Sequence, residues 1–156
     1  RTASGTNELC YRVDYRGAPV IETSRAGLDM DNRVWEMSLG VRDLEQPGCW
    51  MDNMDVDSVT YHPLHDEIWN PLYGERSVVR DHYRSATMYL SKKDGSDYRL
   101  NMEVRAYDEG IAFRYFLPEH PKAIFHKVTA DLTEYTFPSF SMAWTEQWAQ
   151  AKFEYP

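Results

Sequence analysis

The strongest constraint in this chain is a period of two. In Leu100-Asn101-Met102-Glu103-Val104-Arg105-Ala106 every second residue is apolar, the spacing of a strand with one buried face and one wet one. Tyr107-Asp108-Glu109-Gly110 interrupts it, with the glycine expected at a positive φ. Ile111-Ala112-Phe113-Arg114-Tyr115-Phe116-Leu117 then reads as a second strand that stops at Pro118. The two runs predict a β-hairpin.

The same reasoning extends along the chain. Tyr11–Tyr15 turns at Arg16-Gly17 into Ala18–Glu22. Asp57–Tyr61, Ser77–Tyr83, Ala86–Leu90, Tyr98–Leu100 and Lys127–Thr133 are rich in β-branched and aromatic residues. Turn residues separate them, as at Lys93-Asp94-Gly95-Ser96. Helical signal is thin: one turn over Val41–Gln46, and a short helix or loop over Thr145–Lys152. With no repeat, low-complexity tract or linker, residues 1–156 are expected to form one all-β domain, a sandwich or barrel.

Charge and composition narrow the function. The net charge of −8 and the absence of any Lys/Arg cluster argue against nucleic-acid binding. No apolar run approaches the roughly 20 residues that span a bilayer. Hydrophobic residues at 42% are too many for a disordered segment. Cys10 and Cys49 are read as buried thiols rather than a bridge, which leaves the compartment open.

Three groups have ligand chemistry. Asp52-Asn53-Met54-Asp55-Val56-Asp57 offers hard oxygens but lacks the glycine and distal glutamate of a helix-loop-helix calcium loop, and reads as a solvated acidic turn. His62-Pro63-Leu64-His65-Asp66-Glu67, with His82 more distant, carries zinc-type ligands. Pro63 breaks regular geometry there, so a polar loop is the expectation. Glu146 and Glu154 sit among Trp144, Trp148, Phe153 and Tyr155, an aromatic cluster suited to packing against another surface. Neither cysteine has a neighbouring histidine, and no Gly-x-Ser-x-Gly elbow or phosphate loop occurs. The chain is therefore expected to hold no complete catalytic site. Tyr and Trp, 11 and 5 of them, allow a second reading as a stand-alone carbohydrate-binding β-sandwich.

Several stretches together resemble the N-terminal domain of glycoside hydrolase family 97. They are Tyr15–Glu22, Gly27-Leu28, Trp69-Asn70-Pro71-Leu72-Tyr73-Gly74-Glu75, Arg80–Tyr83, Val104–Tyr115 and Thr133–Phe137. The Arg105-Ala106-Tyr107-Asp108-Glu109-Gly110-Ile111-Ala112-Phe113-Arg114-Tyr115 segment is the most specific of them. The similarity runs from about Leu9 to Pro156, and the strand expected before Leu9 is shortened.

That resemblance implies a β-super-sandwich of the galactose-mutarotase type, followed by a catalytic (β/α)8 barrel that holds the acids. It implies an enzyme acting on α-glucosides or α-galactosides, periplasmic or secreted, with calcium near its active site. The sandwich would pack against the barrel and share its oligosaccharide substrate. In the family the sandwich also lends the calcium a glutamate, and Glu154 is the closest positional match. No catalytic residue is expected in this chain.

Overall fold

The computed structural model describes residues 8–31, 33–36, 40–45, 50, 52–93, 98–119 and 124–144, with only the backbone described over 33–36, 40–45 and 124–125. These residues form β1 (Cys10–Tyr15), β2 (Ala18–Arg25), β3 (Leu28–Met30), β4 (Arg33–Glu36), β5 (Gly40–Glu45) and β6 (Met54–Tyr61). They continue with β7 (His65–Trp69), β8 (Val79–Lys92), β9 (Arg99–Ala106), β10 (Ile111–Phe116), β11 (Ile124–Phe125) and β12 (Val128–Asp131). No helix occurs among the described residues, and every pairing is antiparallel.

The predicted hairpin is present. β9 and β10 pair from Ala106↔Ile111 to Asn101↔Phe116, and the Tyr107 N–H donates to the Gly110 carbonyl at 2.8 Å. Gly110 does not take the expected positive φ, because a four-residue connection can reverse without a left-handed step. The β1–β2 hairpin has only Arg16-Gly17 to turn on, and there φ is 51° and 84°. That is the two-residue turn whose twist suits strands, and Gly17 adopts it without a steric penalty.

Three stretches need correction, the first being His62–Glu67, expected as a polar loop but loop only over His62–Leu64, since His65–Glu67 opens β7. Ser77–Tyr83 and Ala86–Leu90 are not separate strands but parts of the 14-residue β8. Arg84 and Ser85, which look like a break, pair with Ala106 and Arg105 of β9 and keep the ladder intact. Val41–Gln46 forms no helical turn, since Gly40–Glu45 is β5, paired with β4. A single turn would leave most of its backbone groups unsatisfied, whereas pairing with β4 satisfies those along one side of the strand.

β8 organises the larger sheet, whose order is β10-β9-β8-β6 with β7 also paired to β8. β6 and β7 lie in succession along one edge of β8, at Tyr61↔Ala86 and His65↔Tyr83. Pro63 falls in the gap between them, where a ladder donor is not required. The second layer is built on β2 and β3. β1 pairs with β2, β12 pairs with β3, and the chain after β12 continues the ladder. Leu132 N–H donates to the Gly27 carbonyl, Glu134 N–H to Arg25, and Glu22 N–H to Thr136.

The core lies between these layers. Leu9, Ala26, Leu28 and Met30 meet Met54, Leu90, Leu100 and Met102, with Trp50 fully buried among them. Each such large side chain contributes about 1.5–3 kcal/mol on burial. Trp50, Tyr98 and His126 form an aromatic group with centroids 5.1–5.7 Å apart, His126 edge-on to both of the other rings. The architecture is an all-β sandwich, one of the two forms that the strand pattern predicts.

Candidate functional site

The face of the larger sheet turned away from this core carries a polar network. Alternation along β9 places Glu103 and Arg105 on it, and register brings Arg114 of β10 opposite Glu103. Glu103 Oε1 accepts from Arg105 Nε at 2.9 Å, and Oε2 accepts from Arg114 Nε at 2.8 Å. Arg105 lies over the Tyr83 ring at 4.4 Å. Tyr83 in turn stacks on His65 at 4.7 Å and meets Tyr107 at 5.2 Å. A cleft of about 240 Å³ opens here, lined by Glu103, Arg105, Tyr107, Ala112, Phe113 and Arg114.

The electrostatics define what this cleft can do. Arg105 and then Arg114 hold the Glu103 carboxyl below the usual carboxylate range, and Glu103 with Tyr107 raises the Arg105 guanidinium further. A carboxylate with both oxygens committed to guanidinium groups is neither a proton donor near neutral pH nor an available base. Glu103 therefore ties β9 to β10 and supplies no catalytic acid.

The histidines do not converge. His62 Nε2 is 2.9 Å from Thr87 Oγ1. His65 Nε2 lies 3.4 Å from Asp81 and 3.5 Å from Glu67. His82, one residue from Asp81 and so on the opposite face, faces Asp108 at 3.9 Å. The acidic stretch is also committed. After a bend at Asp52 and Asn53 it enters β6 rather than forming a free turn. Asp52 pairs with the buried Lys92, Asp55 with Lys93, and Asp57 accepts from Ser91. Among the described residues no group of three or more His, Cys, Asp or Glu is placed to hold a metal. Cys10 is a half-buried free thiol, and Cys49, Glu146 and Glu154 lie outside the described residues.

The segment after β12 is firmly attached until Thr136. Arg25 forms an ion pair with Glu134, donating from Nε to Oε1 at 2.8 Å. Arg25 holds the Glu134 carboxyl below its usual range. Tyr11 Oη donates to the Glu134 carbonyl at 2.6 Å, and burial pushes the Tyr11 phenol up to about 12. Beyond this anchor the side chains of Phe137, Phe140, Met142 and Trp144 are exposed. Phe140 holds a φ of 68° in a turn closed by Ser141 N–H on the Pro138 carbonyl.

A second apolar surface was not singled out by alternation. Ile68 and Trp69 end β7, and the loop to β8 presents Leu72 at 99% exposure and Tyr73 at 90%. Its sequence signal is a pair of large apolar residues held between Pro71 and Gly74, both turn formers.

These residues belong to a two-layer sandwich with a committed polar face and large exposed apolar side chains. Residues 2–156 match the family described as glycosyl-hydrolase 97 N-terminal. The chain belongs to that family, as the sequence resemblance implies. It is 27% identical over 133 residues to a retaining alpha-galactosidase of Bacteroides thetaiotaomicron, covering 85% of this chain and 16% of that protein. A glycoside hydrolase family 97 enzyme from Pseudoalteromonas sp. strain K8, solved with panose, superposes with a TM-score of 0.69 at 19% identity. That match covers 86% of this chain and 18% of the enzyme. A beta-arabinopyranosidase structure gives 0.69 at 21%, covering 86% and 19%. The chain thus spans less than a fifth of the length of these relatives.

Proposed function

We propose that this chain is the N-terminal accessory domain of an α-glycoside hydrolase, acting on α-glucosides or α-galactosides, whose catalytic residues lie in a barrel elsewhere in the same polypeptide. The observation that carries this reading is the family match across residues 2–156 in a chain that amounts to 16–19% of its enzyme relatives. The committed state of Glu103 supports it from the structural side. The domain's part is to wall the mouth of the barrel, where a second body beside the loops narrows access to the substrate.

Calcium belongs to the same proposal. The described residues build no shell for it, and an ion that takes six to eight oxygens needs more than one glutamate. Glu154 is proposed to lend a single carboxylate to a shell completed by the barrel. Export to the periplasm or the medium is likewise proposed, by analogy with the family.

The test is the polypeptide extended through the following few hundred residues. It should hydrolyse an aryl α-galactoside or α-glucoside, lose that activity to a chelator, and regain it with calcium. A folded extended protein inactive on both substrates sinks the reading. Glu154→Gln should weaken calcium binding in calorimetry, and an unchanged affinity removes Glu154 from the shell. Titration of the present chain with maltooligosaccharides and galactosides checks the stand-alone sugar-binding reading, which requires a measurable heat.

A further inference from the structure

The loop between β7 and β8 sets almost fully exposed apolar side chains between a proline and a glycine of positive φ. Pro71 is half-buried and fixes its own φ. Gly74 sits at φ +121°, a conformation that L side chains rarely adopt. Between them Leu72 and Tyr73 project into solvent, and nearby Ile68, Trp69 and Val78 are 65%, 49% and 55% exposed, Ile68 and Trp69 on opposite faces of β7. Single exposed leucines are ordinary, but two almost fully exposed apolar side chains side by side on one loop, with further exposed apolar residues at its ends, mark an interaction surface. Glu67, Glu75 and Arg76 supply a polar rim.

We propose that this loop is the element by which the domain docks onto the catalytic part of its own polypeptide, with Leu72 and Tyr73 entering an apolar socket. The inference rests on the function proposed above. The occupant follows from two observations. The relatives carry more than four-fifths of their length outside the matched region, so a large covalently linked partner is at hand. The loop's surroundings are acidic, with Asp66, Glu67, Glu75 and Asp81 against Arg76 and Arg80. A two-fold pairing of identical copies would set like charges against each other. A different surface with a basic rim is the better complement.

The experiment uses the extended polypeptide carrying Leu72→Cys, labelled with a maleimide and read by peptide mapping, so that Cys10 and Cys49 are counted separately. Native protein is expected to label at position 72 at least tenfold more slowly than urea-unfolded protein, at a rate independent of protein concentration. Tyr73→Asp should lower the thermal midpoint of the extended protein and expose the domain to limited proteolysis, whereas Tyr73→Phe behaves as wild type. Fast labelling in a protein that hydrolyses an aryl α-glycoside overturns the docking role while the proposed function stands. Protection that appears only at high protein concentration identifies a second copy and also overturns it. Loss of oligosaccharide binding in Tyr73→Ala, with labelling still fast, assigns the loop to sugar instead.

Discussion

The two halves of β8 share one backbone and differ in what their side chains meet. From Ala86 to Lys92 the strand is flanked by β6 and β9, and Leu90 is buried against Leu100 and Met54. From Val79 to Tyr83 it pairs with β7 through an equally regular ladder, yet Ile68, Trp69 and Val78 beside it are exposed. Hydrogen bonding sets the strand in both halves, and burial distinguishes them. A ladder exchanges bonds to water for bonds to protein and gains little net. The apolar area removed from water decides which half holds the domain together. The other half is left as surface.

Substitution at the buried end should break the fold first. Leu100→Ala is expected to cost about 2–5 kcal/mol, the range for deleting a fully buried leucine, measured by urea denaturation. Ile68→Ala at the open end should stay within about 0.5 kcal/mol. Equal costs would dissolve the comparison. Next in size is the polar face. Glu103→Gln removes the charge and one of the two acceptor oxygens that Arg105 and Arg114 share, at about 0.5–2 kcal/mol near neutral pH. The Glu103 side chain is 15% exposed, but Arg114 is 70% exposed, and solvent screening of that partner keeps the cost modest. Because its carboxyl is held below the ordinary value of about 4.3, its contribution is complete above that pH and lost as pH falls through the lower folded value. The gap between wild type and Glu103→Gln in urea midpoints should therefore narrow steadily toward pH 3, and a gap constant with pH would refute the ion-pair account.

The same contrast explains what the sequence made legible. Leu100 to Ala106 shows its period of two because one face is buried and the other wet, so β9 and its hairpin partner are readable from residue type alone. β8 was not readable as one strand, because Arg84 and Ser85 are carried by pairing with β9, a tertiary fact with no local signal. β5 carries no local strand signal for a similar reason, since its ladder partner β4 decides its state. The family was legible through Arg105–Tyr115, where backbone and charge requirements coincide: Arg105 and Arg114 both bond Glu103. The Leu72-Tyr73 surface was present in the sequence, but exposure is a property of the fold, and a leucine in a loop does not announce it.

Smaller effects sharpen the open end. Gly74→Ala meets no atom within 4 Å, so any cost comes from φ +121° alone. About 1–2 kcal/mol is expected in urea denaturation, and no change would mean the loop relaxes freely. Phe140→Gly tests the converse at φ 68°. Relief of the left-handed penalty, offset by the greater freedom of glycine in the unfolded chain, should stabilise the domain by up to about 1 kcal/mol in the same measurement.

Leu72→Ala is the smallest expected effect and the most discriminating. At 99% exposure the leucine side chain loses nothing to solvent in this domain, so its truncation should leave the urea midpoint within about 0.5 kcal/mol of wild type. The same substitution in the extended polypeptide removes a group proposed to be buried, and there it should cost about 1–3 kcal/mol. A silent mutation in one context and a costly one in the other is the signature of an interface. If Leu72→Ala is costly in both, the loop packs within the domain, and the open half of β8 belongs to the core after all.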